Sequence, residues 1–260
     1  MSREELMKAI GEADEKLLFR SEEGAKKELP RKNKERAGKH RLWIRAAAVA
    51  ACMAVVLTAG VLLFTPGGEK IRLSDASKDV SVKKIADVSK APKKDFLLIN
   101  LTEEEIFTRW NTAIVMGTVK EIQNIVINFN GDKEYRAIAR IEVEKLYRGD
   151  CSEGDVISVL LPCSIGTDVD VEDTEVVSRM QVGTVGIFMP IIYDENSIWE
   201  QNGAVLCEKD IADYGFADGM RFAFLEEDGG IIFERDSYES IKNANSLEEI
   251  ESYIMEIISK

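Results

Sequence analysis

Apolar and polar residues follow three different rhythms along this chain. In residues 46–64 (AAAVAACMAVVLTAGVLLF) there is no alternation: the stretch has no charge, and Thr58 is its only polar side chain of any size. As a helix rising about 1.5 Å per residue, it reaches about 28 Å, close to the roughly 30 Å hydrocarbon core of a bilayer. A helix that is apolar all round calls for lipid on every side. A transmembrane helix is therefore predicted over residues 42–64.

The second rhythm is helical. In residues 2–19, Leu6, Ile10, Ala13 and Leu17 form one apolar stripe, and Ser2 with Glu5 matches a capping box. A lone helix of this length is marginal in water. It reads either as a docking helix for a cytoplasmic protein partner or as a tail resting on the inner leaflet. Residues 20–41 are polar and basic, broken by Gly24, Pro30 and Gly38.

Pro66-Gly67-Gly68 ends the apolar run, and residues 65–95 are small, charged and weakly apolar. They read as a linker with too little apolar surface to form a core. From residue 96 a third rhythm, of period two, takes over after a short helix opened by Thr102-Glu103-Glu104-Glu105. Strands are predicted at 113–121 and 123–130, then a turn at Asn130-Gly131-Asp132 and a long strand at 134–147. In that strand Ala137, Ala139, Ile141 and Val143 share one face, while Arg140, Glu142 and Glu144 share the other. Further strands are expected at 155–162 and 183–193, the latter interrupted at Pro190. Short strands follow near 197–207, 220–226 and 230–235, with a hairpin turn at Glu227-Asp228-Gly229-Gly230. Ser246 opens a terminal helix with Leu247, Ile250, Ile254, Ile257 and Ile258 on one side. The fold class expected for residues 96–260 is mainly β (α+β). An antiparallel barrel, OB-like in form, would hide the strand edges.

Charge sets the orientation. Residues 26–45 carry nine Lys and Arg and the twenty residues after the span carry five, which places the N-terminus in the cytoplasm and the C-terminal domain outside. The competing reading is a cleaved signal peptide, against which stand the long charged leader and the length of the apolar run. Val49-Ala50-Ala51-Cys52 also matches a lipoprotein box, but most of the apolar stretch follows Cys52 rather than preceding it. Residues 1–45 are net +4 and residues 65–260 are net −17. So acidic an outer domain argues against a nucleic-acid partner, whose phosphates are met with Lys and Arg.

Candidate chemistry is sparse. The single histidine, His40, lies before the span. The outer domain thus lacks Ser-His-Asp, Cys-His and histidine–metal sites. Cys151, Cys163 and Cys207 allow at most one disulfide, and without C-x-x-C spacing they read equally as small buried residues. Asp168, Asp170, Glu172, Asp173 and Glu175 have calcium-like oxygen spacing. The EF-hand pattern fails, with Asp173 where Gly is needed and Arg179 where Glu is needed. Gly183-x-x-Gly186 is too short and apolar for a phosphate loop. Trp110, Trp199, Tyr214, Phe216, Phe222 and Phe224 would form either a ligand surface or core. No catalytic residue, metal ligand or cofactor is assigned.

Five stretches carry a resemblance: AIVMGTV (113–119), IEVEKLYRGD (141–150), EGDVISV (153–159), MQVGTVGIFM (180–189) and the closing helix from Ser246. Together they resemble the small extracytoplasmic β-barrel domains of single-span, poorly characterised Gram-positive bacterial membrane proteins. The N-terminal half is similar in architecture to membrane anti-sigma factors but lacks the His-x-x-x-Cys-x-x-Cys motif of their zinc domains. The resemblance bears on fold; the chain as a whole is read as a non-enzymatic, membrane-anchored protein that binds or senses a ligand at the envelope and signals to a cytoplasmic partner through residues 2–19. A surface structural or adhesion module is the alternative, and an envelope enzyme without histidine is a third reading.

Overall fold

The computed structural model describes residues 68–89, 99–166, 173–227 and 229–259. In chain order they form strands β1 (Lys70–Ile71) and β2 (Val80–Lys84), helix α1 (Glu103–Thr108), and the long strands β3 (Ile114–Phe129) and β4 (Asp132–Arg148). Next come β5 (Val156–Leu161), β6 (Val185–Phe188), β7 (Ile191–Ile192), β8 (Ile198–Gln201), β9 (Ala204–Cys207) and β10 (Tyr214–Gly215). The chain closes with β11 (Ala223–Glu227), β12 (Gly230–Ile232) and helix α2 (Leu247–Ile258). The protein is mainly β in these residues. The predicted transmembrane helix, the 2–19 helix and the basic segment lie outside the described residues, and no described helix is long and apolar enough to cross a membrane.

A ten-stranded sheet runs in the order β12-β11-β6-β3-β4-β5-β10-β7, with β2 added to β3 and β1 added to β2. It curls into a half-barrel. The curl follows from β6 and β7 being two stretches of one bent segment, interrupted at Met189-Pro190. Proline has no N–H to give a ladder, and here the Pro190 carbonyl accepts from the Ala113 N–H at 2.9 Å. β6 pairs with β3 and β11, while β7 pairs with β10.

One pair departs from the antiparallel expectation. β10 runs parallel to β5, with Tyr214 opposite Val159 and Gly215 opposite Leu160. Parallel neighbours need a long crossover, and the chain from β5 to β10 supplies it, carrying the separate β8–β9 hairpin on the way.

The β3–β4 hairpin is the frame. Asn130 (φ 52°) and Gly131 (φ 98°) form its two-residue turn, as the Asn-Gly pair predicts. The two strands expected at 113–121 and 123–130 are one strand. The register passes from Val119↔Ile141 to Glu121↔Arg140, leaving Lys120 unpaired as a bulge. The extra residue shifts the alternation by one, so the inward set runs Val115, Gly117, Val119 and then Ile122, Asn124. A pattern that breaks phase looks like the end of a strand, though the backbone pairing continues through the bulge.

The linker expected over 65–95 also requires correction. Within it, β2 pairs with β3 from Val80↔Phe129 to Lys84↔Ile125, and Val82 is buried. Asp210 fixes the preceding loop: its carboxylate accepts from the Ser74 N–H (3.0 Å), the Ser74 hydroxyl (3.0 Å) and the Ser77 hydroxyl (2.6 Å). Lys78 and Val205 exchange backbone hydrogen bonds at 2.8 Å. A weakly apolar strand is held here by groups far away in the chain.

Two hydrophobic clusters lie on the two faces of the frame. The larger gathers the inward residues of β3–β6 and β11 with α1, α2 and a ring set of Phe107, Phe224, Phe233 and Tyr238. The predicted α1 capping box is present: the Thr102 hydroxyl accepts from the Glu105 N–H, and the Glu105 carboxylate accepts from the Thr102 N–H. α2 buries Leu247, Ile250 and Ile254, as its spacing predicts. The smaller cluster covers the opposite face at the distal end of the hairpin. Ile125, Ile127 and Phe129 meet Val82, Leu160, Tyr193, Ala204 and Leu206 there. A second Asn-Gly turn, Asn202 (φ 49°) and Gly203 (φ 73°), joins β8 to β9 and lies against the first. The Asn202 amide donates to the carbonyls of Phe129 (3.2 Å) and Asn130 (3.1 Å).

Candidate functional site

A cavity of about 270 Å³ opens beside the smaller cluster. One of its buried charged groups is Arg136. On β4, Arg136 sits opposite Ile125, and its neighbour Ala137 faces the larger cluster. Arg136 has the parity of Arg140 and Glu142, the face expected to be wet, yet only 9% of its surface is exposed. The β8–β9 hairpin covers it. The guanidinium lies 5.1 Å from the Trp199 ring centroid, 3.5 Å from the Glu134 carboxylate, and donates to the Pro162 carbonyl. Burial lowers its pKa and the Glu134 charge opposes that shift. Cation–π contact and ion pairing together explain how a charge is retained at this depth.

Tyr193 and Glu208 form another part of the wall. The Tyr193 phenol is hydrogen-bonded to the Glu208 carboxyl, and burial pushes its pKa far above the ordinary value. Burial also raises Glu208, against the pull of Tyr193 and Arg136. Glu208 is anchored through its N–H to the Ser197 carbonyl at 2.8 Å. Tyr193 reaches its place because residue 215 is glycine: a Cβ there would overlap the phenol oxygen.

The remaining wall comes from the segments around Thr174 and Asp218. A Cβ on Gly219 would collide with Thr174, so these two stretches can approach only with glycine at 219. Asp218 is fully engaged. It accepts from the backbone N–H of Met220 and Arg221 and holds the buried Arg221 guanidinium at 2.7 Å. Leu160, Phe216 and Ala217 give the cavity its apolar lining, and Asp173 lies at its margin with φ at 61°. A second, more open hollow of about 500 Å³ is lined by Glu103, Glu234 and Glu239. All three are already engaged: Glu103 accepts from Ser240, far away in the chain, Glu234 from the Asp236 N–H, and Glu239 from the Lys242 ammonium.

The aromatic set divides between these environments. Trp199 and Phe216 line the cavity. Phe222 and Phe224 are core, Trp110 packs edge-on against Phe222 at 5.6 Å, and the Tyr214 hydroxyl donates to Asp150 at 2.7 Å. Of the acidic run, Asp168, Asp170 and Glu172 lie outside the described residues. Among the described residues no group of three His, Cys, Asp or Glu side chains could hold a metal ion. Cys151, Cys163 and Cys207 are all free thiols. Burial raises Cys163 to about 11, which makes it a poor nucleophile. Arg136 and Glu208 were not legible as site residues, since neither stands in a motif. The only signal for Arg136 was a long basic side chain two residues from an acidic one on a strand about to be covered.

The described cavity thus offers one buried cation already matched, a phenol–carboxyl pair, and an apolar wall. Compared with known proteins, the chain matches no family model, no curated protein and no solved structure.

Proposed function

We propose that this is a single-pass membrane protein whose extracytoplasmic domain is a small OB-like barrel that binds a small molecule without chemical conversion. Its N-terminus lies in the cytoplasm, and ligand occupancy is passed inward to a protein partner on residues 2–19. The barrel reading is supported by the strand order. Taken with β6 and β7 as one bent strand, the path β3-β4-β5-β10-β7/β6 returns to β3, with the β5–β10 pair parallel. That is the connectivity of a five-stranded Greek-key barrel. The membrane reading rests on the uncharged 46–64 stretch and the basic residues before it.

The observation that carries the binding reading is the Arg136 cavity. Mostly apolar concavities with a few converging polar groups are where small ligands bind. The test uses the full chain in lipid nanodiscs, screened against a small-molecule fragment set by ligand-detected NMR. Hits whose signal disappears in Ala217→Phe, which fills the cavity, support the reading. A screen with no hit, or hits unaffected by Ala217→Phe, overturns it. Protease treatment of intact cells tests the topology: residues 1–64 should survive as one protected piece. A mature protein that begins near Cys52 would remove the inward-signalling step.

A further inference from the structure

We infer that the Arg136 cavity selects a small organic cation, an ammonium group carried on a compact apolar body; this rests on the binding reading above. The charges on the wall decide the sign. Among the described residues the cavity is lined by one cation, Arg136, and three acids, Asp173, Glu208 and Asp218. Arg136 is matched by Glu134 and by the Pro162 carbonyl, and one face of its guanidinium is taken by Trp199. Asp218 is matched by Arg221. Among the described residues neither Asp173 nor Glu208 makes an ion pair within 4 Å; Glu208 accepts from Tyr193 and feels Arg136 only at longer range. An anion entering here would compete with Glu134 for Arg136 and would face two carboxyls.

An ammonium would instead meet carboxylates with open acceptor positions, in a recess where the dielectric is lower than in bulk water. The acidic outer domain, net −17, adds a long-range attraction of the same sign. The body of the ligand has a matching place. Leu160, Leu161, Phe216 and Ala217 supply an apolar wall, and the volume of about 270 Å³ suits a single ring or a short branched chain. Because Trp199 is already covered by Arg136 on one side and packs at 4.9 Å against Phe129, selection falls to the carboxyls rather than to a free aromatic face.

Three probes of one shape separate the charge classes: benzylamine, benzyl alcohol and benzoate, each titrated against the full chain in nanodiscs at neutral pH. Benzylamine should bind at least tenfold more tightly than the other two, and Glu208→Gln should reduce its affinity by about tenfold while leaving benzyl alcohol unchanged. Ala217→Phe should abolish the binding. Tighter binding of benzoate or benzyl alcohol, blocked by Ala217→Phe, would overturn the cation assignment and leave the binding reading in place. Benzylamine binding that ignores both variants, or no binding of any probe, also overturns the assignment, and the fragment screen then decides the binding reading independently.

Discussion

The two faces of the β3–β4 hairpin are built to different rules. The inward face, in the larger cluster, is almost purely apolar. Two polar groups packed there form closed pairs: the Asn124 amide exchanges hydrogen bonds with both backbone groups of Ile165 (2.7 and 2.8 Å), and the Tyr238 hydroxyl donates to the Arg221 carbonyl at 2.5 Å. The distal outward face pairs Ile125 with Arg136 and Ile127 with Glu134 across the same two strands, placing an ion pair beside aliphatic residues. The first arrangement gains its stability from area removed from water. The second spends part of that gain on desolvating charges. The polar, less economical face is also the one beside the Arg136 cavity.

Three tryptophans make the comparison measurable. Trp110 reports on the larger cluster and Trp199 on the smaller, once Trp43 is replaced by Phe. The largest effect is expected from Phe224→Ala, which empties a fully buried site among Phe233 and Tyr238. It should cost about 3–5 kcal/mol in urea unfolding and move both tryptophan transitions together. If Trp199 kept its midpoint, the smaller cluster would be an independent folding unit and the two-faced frame would be the wrong description.

Next in size is Arg136→Met. Removing Arg136 takes the buried cation away from Glu134 and should cost about 3 kcal/mol, read first by Trp199. The double variant Glu134→Gln, Arg136→Met should recover most of that loss, because Gln201 can still donate to residue 134 as it does now at 2.9 Å. A double variant no better than the single would show that Arg136 acts mainly through its stacking on Trp199.

Asp210→Asn should cost about 1–2 kcal/mol, since Asn can keep only part of the hydrogen bonding from Ser74 and Ser77. The effect should be local. Limited proteolysis should begin within residues 68–89 before the rest of the sheet unfolds. Cleavage elsewhere first would mean that β2 is held by its pairing with β3 alone.

These same contacts mark where sequence reasoning succeeds and fails. The Asn130-Gly131 turn, the alternation of β4, the capping box at Thr102 and the stripe of α2 are local patterns, and each appears where its spacing puts it. The pairing of β2 is not local. Its five residues, VSVKK, offer two apolar side chains, and the Asp210 carboxylate that fixes the loop before it lies 136 residues from Ser74. The bulge at Lys120 leaves a signal, a break of phase, that strand ends also produce. The cavity is the least legible feature. Its walls come from β4, β5, the segments around Thr174 and Asp218, and the residues after β7 and β9, so no window of sequence contains it. Trp199 and Phe216 drew notice only as aromatic residues.

The smallest effect is the most informative about the cavity. Burial raises the Glu208 carboxyl, with Tyr193 and Arg136 both pulling it down. A carboxyl whose folded pKa lies above its unfolded value binds protons more readily in the native state, so stability falls as pH rises through the unfolded value of about 4.5 toward the folded one. Above that window the ionised Glu208 is a net burden on the fold. Glu208→Gln should therefore be more stable than the wild type at neutral pH, and the difference should vanish on acidification below the unfolded pKa. Urea midpoints of the two proteins at a series of pH values measure it. A variant less stable at neutral pH would mean that the hydrogen bond from Tyr193 outweighs desolvation. If the gain is found, the same substitution improves the fold and weakens benzylamine, the trade expected of a group kept for recognition rather than stability.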